Sequence, residues 1–270
     1  MTVKVVLAGC GNMGYAMLAG WLKSGRLLPS EAFVVEPNTE LCARAGKLGV
    51  ATGTSPEELP AGAPQVVVLA VKPQVIREVT AGYRHLGNGN TTFVSVAAGT
   101  PVGTFEDVLG AKTPIIRVMP NTPAAIGKGM MVVFANPHVD AKTRQFVESL
   151  LAASGAVATI DDEKLMDAVT AVSGSGPAYI FHFIECLTAA AEHAGLPAET
   201  AKLLAMQTVY GAACLAFESG EEPGLLRQQV TSPNGTTAAA LGILMGNDRL
   251  KTLLTEAVEA ARLRSIELGK

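Results

Sequence analysis

Charge is in short supply in this sequence. Asp, Glu, Lys and Arg make up 17 % of its 270 residues, and the net charge of −3 conceals no basic cluster. Nucleic acid and anionic membranes are held by cationic stripes, so neither is an expected partner, and a small polar metabolite suits the chain better. Cysteine is sparse: Cys10, Cys42, Cys186 and Cys214 show neither paired metal spacing nor the density of a disulfide-stapled domain, which points to a reducing cytoplasm. His85, His138, His182 and His193 are scattered, and no metal is expected. Long apolar runs are missing too. Val66 to Val71 and Ala238 to Met245 both fall well below the roughly 18 residues that span a bilayer.

What is plentiful is apolar side chain, at 49 % of residues, with a positive mean hydropathy. Such a chain must hide a large surface, and a subunit interface is the economical place for it. The length allows one large or two ordinary domains, and two are expected.

The most informative stretch is Lys4-Val-Val-Leu-Ala-Gly9-Cys-Gly11-Asn-Met-Gly14. Val3, Val5, Val6 and Leu7 suit a buried parallel strand, and Met13 to Lys23 carries apolar residues at helical spacing. Between them lies G-x-G-x-x-G, with a reason for each glycine: Gly9 for the tight turn, Gly11 for backbone approach to a pyrophosphate, Gly14 for packing of helix on strand. The phosphates then lie on free helix N–H groups. Leu7-Ala8-Gly9-Cys10 also imitates a lipoprotein cleavage box, but Val3 to Ala8 is too short for a signal peptide's apolar core and contains Lys4.

Phe33 to Glu36 reads as a second strand. Glu36 has the spacing of the acid that binds a ribose 2′-hydroxyl in NAD sites, whereas Asn38, Thr39 and Arg44 suit the neighbourhood of a 2′-phosphate, so the residues leave NAD against NADP open. A helix over Leu41 to Leu48 follows, then strands at Gln65 to Ala70, Thr92 to Val96 and Pro114 to Met119. These end in Val71-Lys72-Pro73, Ala97-Ala98-Gly99 and Pro120-Asn121-Thr122-Pro123. Ligands bind at that edge of a doubly wound sheet. Met130 to Ala135 and Val157 to Ile160 complete the sheet, around a helix near Lys142 to Ala152.

Strand-like runs cease at Asp161, which divides a dinucleotide-binding domain, 1–160, from a helical domain, 161–270. Helices are expected at Lys164 to Val172, Pro177 to Ala194, Glu199 to Ser219, Ala238 to Met245 and Asp248 to Leu268. Ser175 reads as an N-cap between hinge glycines, since no strand precedes it to make a nucleophile elbow. In Gln229-Val-Thr-Ser232-Pro-Asn-Gly235-Thr-Thr237, Ser232 can cap and Pro233 can start a helix. Bare N–H groups with a glycine and two threonines suit a small carboxylate.

Taken together, Gly9-Cys-Gly11-Asn-Met-Gly14, Ala70-Val-Lys72-Pro73, Ala97-Ala98-Gly99, Met119-Pro-Asn121-Thr122-Pro123, Ser173-Gly-Ser-Gly176-Pro177-Ala-Tyr179 and Val230-Thr-Ser232-Pro-Asn-Gly235-Thr-Thr237 resemble the pyrroline-5-carboxylate reductase family along essentially the whole chain. Asn234 departs from the pattern, because relatives often carry Gly there. The resemblance implies an α/β Rossmann-type doubly wound N-terminal domain with an all-α C-terminal dimerisation domain, a plan shared with 6-phosphogluconate dehydrogenase. It implies a homodimer, commonly assembled further into a decamer. Cofactor contacts are implied at Ala8, Gly9, Cys10, Gly11, Asn12, Met13, Gly14, Asn38, Ala70, Val71, Lys72, Pro73, Val96, Ala97 and Ala98, with NADPH as donor and NADH as the alternative. Substrate contacts are expected at Ser232, Gly235, Thr236 and Thr237, with Asn121 and Thr122, and Thr237 is the expected catalytic residue. Two rival readings are a hydroxyacid dehydrogenase of the 6-phosphogluconate or 3-hydroxyisobutyrate type, for which Lys164 is the nearest lysine, and an NADP-sensing regulator without turnover.

Overall fold

The computed structural model describes residues 3–269. Short runs of β-branched and aliphatic residues make the strands, and the inner ones are buried on both faces, as a parallel sheet covered by helices requires. The first half runs β1 (Val5–Ala8), α1 (Asn12–Lys23), β2 (Ala32–Val35), α2 (Thr39–Gly46), β3 (Ala51–Gly53), β4 (Val66–Leu69), α3 (Ile76–Ala81), β5 (Thr92–Ser95), α4 (Val102–Leu109) and β6 (Ile115–Met119). It continues through β7 (Gly129–Ala135), α5 (Ala141–Leu151) and β8 (Gly155–Thr159). Among the described residues these strands form one sheet in the order β3-β2-β1-β4-β5-β6-β7-β8, with β7 antiparallel to β6 and the other pairings parallel.

Alternation along the strands divides the core into two layers. Val5, Leu7, Val34, Val66 and Val68 pack with Met17, Leu18 and Trp21 of α1, while Val6, Ala8, Val67 and Leu69 pack with Ile76, Phe93 and Phe105 on the other face. The registers then decide where function can lie. Ala8 is level with both Val35 and Leu69, and Leu69 with Ser95, so Gly9, Glu36, Ala70 and Val96 emerge along a single edge. The chain winds from β1 toward β3 on one side and from β4 toward β6 on the other, which puts a topological switch point beside Gly9.

Several elements do not show in the sequence, α4 among them. The edge strand β3 is only Ala-Thr-Gly, without an apolar run, and α9 (Pro223–Gln229) is seven residues long. The helix expected over Lys164 to Val172 is instead a 3-10 turn at Glu163–Leu165, the four-residue α6 (Met166–Val169) and a π-turn at Thr170–Gly174. Ser175 N–H donates to Thr170 O at 2.8 Å, five residues back. A Cβ at Gly174 would collide with Met119, so this turn is shaped by the sheet beneath it. Ser175 has right-handed helical angles and therefore does not act as the expected N-cap.

The chain divides into two compact units, residues up to Ser175 together with those from Ala261 onward, and Gly176 to Ala260. The first continues past Asp161 because side chains tie the segment down. Glu163 pairs with buried Arg117 at 2.9 Å and accepts Val102 N–H at 2.8 Å, and Ser265 donates to Asp167 at 2.6 Å. The second holds α7 (Gly176–His193), α8 (Ala198–Ser219), α9, α10 (Thr236–Met245) and most of α11 (Arg249–Leu268). α7 and α8 pack together, yet only Ala201 and Ala205 of α8 are buried. Phe181, Leu203, Tyr210, Phe217, Ile243 and Leu253 lie bare, Phe217 at 85 % exposure, a surface that water tolerates poorly. No helix among the described residues is long and apolar enough to cross a membrane.

Candidate active site

The turn after β1 is built by its neighbours. Gly9 has φ +92°, and a Cβ there would lie 2.7 Å from Val71 Cγ1 and 2.8 Å from Ala70 O, so the segment after β4 presses against the turn. A Cβ at Gly14 would overlap the Gly9 carbonyl oxygen, which fixes how closely α1 approaches β1. Gly11 differs, because a Cβ there meets nothing within 4 Å and its φ is an ordinary −62°. Sterics of the fold do not demand glycine at position 11, and the open space above it is what an approaching phosphate would use. No side chain caps α1, its first turn carries no acid, and the amides of Asn12, Met13 and Gly14 have no acceptor among the described residues. A helix N-terminus left this way attracts anions. The residues present therefore fit a dinucleotide's pyrophosphate.

The ribose end departs from both sequence alternatives. Glu36 is 7 % exposed, so it is not a solvated strand end. Its carboxylate accepts Cys10 N–H at 2.7 Å and Asn38 N–H at 3.0 Å. Arg44, on α2, donates to Cys10 O at 2.8 Å and Gly11 O at 3.2 Å, and its guanidinium lies 4.2 Å from the Tyr15 ring centroid. Cys10 is fully buried with both backbone groups engaged, so what it offers a cofactor is the shape of the turn, not a hydrogen bond. Burial pushes its thiol up to about 11, against the lowering influence of Arg44. Asn38 caps α2, its side-chain oxygen accepting the amides of Glu40 and Leu41, and Lys72 is exposed.

Ala70 to Pro73 and Val96 to Ala98 follow β4 and β5 at the same edge; Ala70 N–H donates to Ala8 O at 2.8 Å, and Val96 N–H to Leu69 O at 3.2 Å. Beside α1 an open cleft of about 900 Å³ is lined by Asn12, Met13, Tyr15, Arg44, Thr122 and Ile126, among others. The structure thus brings Asn12, Met13 and Thr122 together. Asn121 is committed elsewhere, its oxygen accepting Met130 N–H at 2.8 Å and its nitrogen donating to Ser173 O at 3.2 Å, which ties β7 to the π-turn.

In the second unit, α10 begins at Thr236 with Gly235 as its uncapped N-cap residue. Ser232 and Pro233 therefore do not start the helix as the sequence suggested. Asn234 has φ +60°, a left-handed turn incompatible with helix, and Gly235 N–H closes that turn on Ser232 O at 3.1 Å. A Cβ at Gly235 would strike the Ser232 hydroxyl. Since the Gly235 amide is engaged, the amides left without an acceptor among the described residues are those of Thr236, Thr237 and Ala238, with two threonine hydroxyls beside them and no acid in the first turn. An uncapped helix start of this kind attracts an anion. The Glu36 and Arg44 contacts were the part the sequence hid; the one signal was two opposite charges at the strand end that conventionally serve different cofactors.

Comparison with known proteins agrees with this geometry. Residues 163–268 match the family model described as pyrroline-5-carboxylate reductase dimerisation, and residues 4–99 match NADP oxidoreductase, coenzyme F420-dependent. The pyrroline-5-carboxylate reductase of Pseudomonas aeruginosa is 40 % identical over 270 residues, covering 100 % of this chain and 98 % of that protein. The Escherichia coli enzyme of that name is 35 % identical, with both chains fully covered. Among solved structures, the Coxiella burnetii pyrroline-5-carboxylate reductase superposes with a TM-score of 0.93 at 37 % identity and full coverage of both chains. The Plasmodium falciparum pyrroline carboxylate reductase, solved with NADP bound, gives 0.84 at 31 % identity, covering 99 % of this chain and 98 % of that one. With a doubly wound sheet, an open glycine turn and an uncapped Thr-Thr helix start now accompanied by full-length relatives, the chain belongs to the pyrroline-5-carboxylate reductase family.

Proposed function

We propose that this chain reduces (S)-1-pyrroline-5-carboxylate to L-proline, the last step of proline synthesis, with NADPH as hydride donor. The observation that carries the assignment of roles is the start of α10, where three free amides and two hydroxyls meet no competing acid. The amides of Thr236 and Thr237 hold the substrate carboxylate, and Ser232 beside them lends its hydroxyl. Thr237 Oγ accepts the iminium N–H, keeping the C=N bond in its protonated, more electrophilic form.

NADPH, when bound, supplies the hydride that the imine carbon receives, and the ring nitrogen keeps its proton to give the secondary amine. The chain's own contribution is binding and orientation. Asn12, Met13 and Gly14 would offer amides to the pyrophosphate, Ala70 to Pro73 and Val96 to Ala98 would provide a backbone edge, and Asn38, after β2, would face the adenosine ribose. Asn121 braces the loop that holds Thr122. A reaction whose difficult step belongs to the cofactor needs no strong acid or base, and none lies in the first turn of either helix.

The bare apolar faces of residues 176–260 support a homodimer; a decamer as the larger assembly and a cytoplasmic setting belong to the same proposal. Following NADPH absorbance with pyrroline-5-carboxylate, 6-phosphogluconate and 3-hydroxyisobutyrate in parallel tests the reading. Oxidation with the first substrate alone is expected. Turnover of either hydroxyacid with NADP, or no turnover despite NADPH binding, would select one of the rivals.

A further inference from the structure

Of the side chains that the sequence offers to the adenosine ribose, Glu36 and Arg44 are turned by the structure onto the backbone of Cys10 and Gly11. We propose that they form a clamp on the glycine turn that aims the free amides at the start of α1 toward the pyrophosphate, and are therefore positioning residues common to NADPH and NADH and not readers of the 2′ position. This rests on the dinucleotide reading above.

The argument follows from peptide planarity. In a trans peptide the N–H of one residue points opposite to the C=O of the residue before it. Arg44 Nη2 holds the carbonyls of Cys10 at 2.8 Å and Gly11 at 3.2 Å, so it fixes the opposite directions in which the Gly11 and Asn12 amides point. Glu36 holds the preceding peptide by Cys10 N–H at 2.7 Å. Three consecutive peptide planes are thereby set from one neighbouring element pair. The clamp is needed because glycines flank Cys10 on both sides, and glycine dihedrals are the least restrained in the chain. The clamp is itself rigid. Glu36 is buried and braced by Asn38 N–H at 3.0 Å, and the Arg44 guanidinium is stacked on Tyr15 of α1. Each Glu36 oxygen already accepts an amide, which fixes the plane of the carboxylate against the glycine turn.

The test measures dissociation constants for NADPH and NADH by fluorescence on the full-length wild type, Arg44→Ala, Arg44→Lys and Glu36→Gln, together with amide hydrogen exchange of residues 9–14 without cofactor. Arg44→Ala is expected to weaken both cofactors by roughly tenfold or more, by the same factor, because each fixed amide donates to a charged group. Exchange at Gly9 and Cys10, whose amides are bonded to Val35 O and Glu36, should accelerate while β4 and β5 stay protected. Arg44→Lys should recover only part, since an ammonium can donate to both carbonyls but does not lie flat on the Tyr15 ring that holds the guanidinium in place. If Arg44→Ala fails to fold, Glu36→Gln carries the test, because it keeps the shape but presents an NH₂ to one of the two amides. Loss of NADPH affinity with NADH unchanged would make Arg44 a 2′-phosphate reader and overturn the clamp, as would unchanged affinity and exchange in both single-charge variants. A wild type that binds neither cofactor would refute the dinucleotide reading itself.

Discussion

Alanine at Gly11 and alanine at Gly14 should fail in opposite ways, although the two glycines belong to one motif. A Cβ at Gly14 overlaps the Gly9 carbonyl oxygen, which is backbone and cannot rotate away. Relief requires α1 to shift off β1, an overpacking cost of about 1–3 kcal/mol, corresponding to a fall in Tm of roughly 2–4 °C per kcal/mol at this size. A Cβ at Gly11 meets nothing within 4 Å, and its φ suits any residue. Gly11→Ala therefore loses only the modest N-cap preference of glycine over alanine, about 1 kcal/mol at most. The methyl group instead stands where the pyrophosphate must approach the α1 amides. Losing one charge-assisted hydrogen bond, about 1.5–3 kcal/mol, raises the NADPH Kd by about 10- to 150-fold. Thermal melts and NADPH fluorescence titrations on both variants separate the two effects. Normal NADPH affinity in folded Gly11→Ala would refute the placement of the phosphates, and a fully stable Gly14→Ala would refute the packing argument.

Thr237→Ala should lower kcat by at least about tenfold with the Tm and NADPH Kd unchanged, and Thr237→Ser should restore most of it; steady-state kinetics would show whether the hydroxyl matters. Because burial raises the Cys10 thiol to about 11 from an ordinary 9.0, the folded chain holds a proton that the unfolded chain loses first. Its contribution to stability is complete below pH 9 and is lost as pH rises toward 11, so Cys10→Ala should flatten that part of a stability-versus-pH curve measured with denaturant. The same burial predicts that Cys10 resists alkylation at pH 7.5, read by peptide mapping, while exposed Cys186 reacts. Phe217→Asp, at 85 % exposure in a single chain, should be silent in a monomer but shift a dimer toward monomer in sedimentation velocity; an unchanged dimer would place the interface elsewhere.

Much of the sheet was legible because valine-rich runs alternate with helical spacing and most strands end near a glycine or proline. The glycine turn was legible for the same reason. β3 and α9 were not, being too short to show a period. The start of α10 was misread by three residues because Ser232-Pro233 is a good local helix start, and the left-handed Asn234 overrides it only through the turn closed on Ser232. The π-turn at Thr170–Gly174 answers to Met119 and Asn121, more than forty residues away in sequence, where no local pattern could announce it. At the ribose end the sequence shows the charges but not their partners. Glu36 and Arg44 were visible as charges, but which way a side chain turns depends on Cys10, Gly11 and Tyr15 being assembled around it.

The most direct test of the proposed reaction is to follow the hydrogen itself. NADPH deuterated at the transferable position of its nicotinamide is incubated with the chain and pyrroline-5-carboxylate, and the product is examined by mass spectrometry and NMR. The account predicts proline carrying one deuterium on the ring carbon bonded to nitrogen and remote from the carboxylate. Unlabelled proline, or label that stays on the nicotinamide while substrate is consumed, would contradict it.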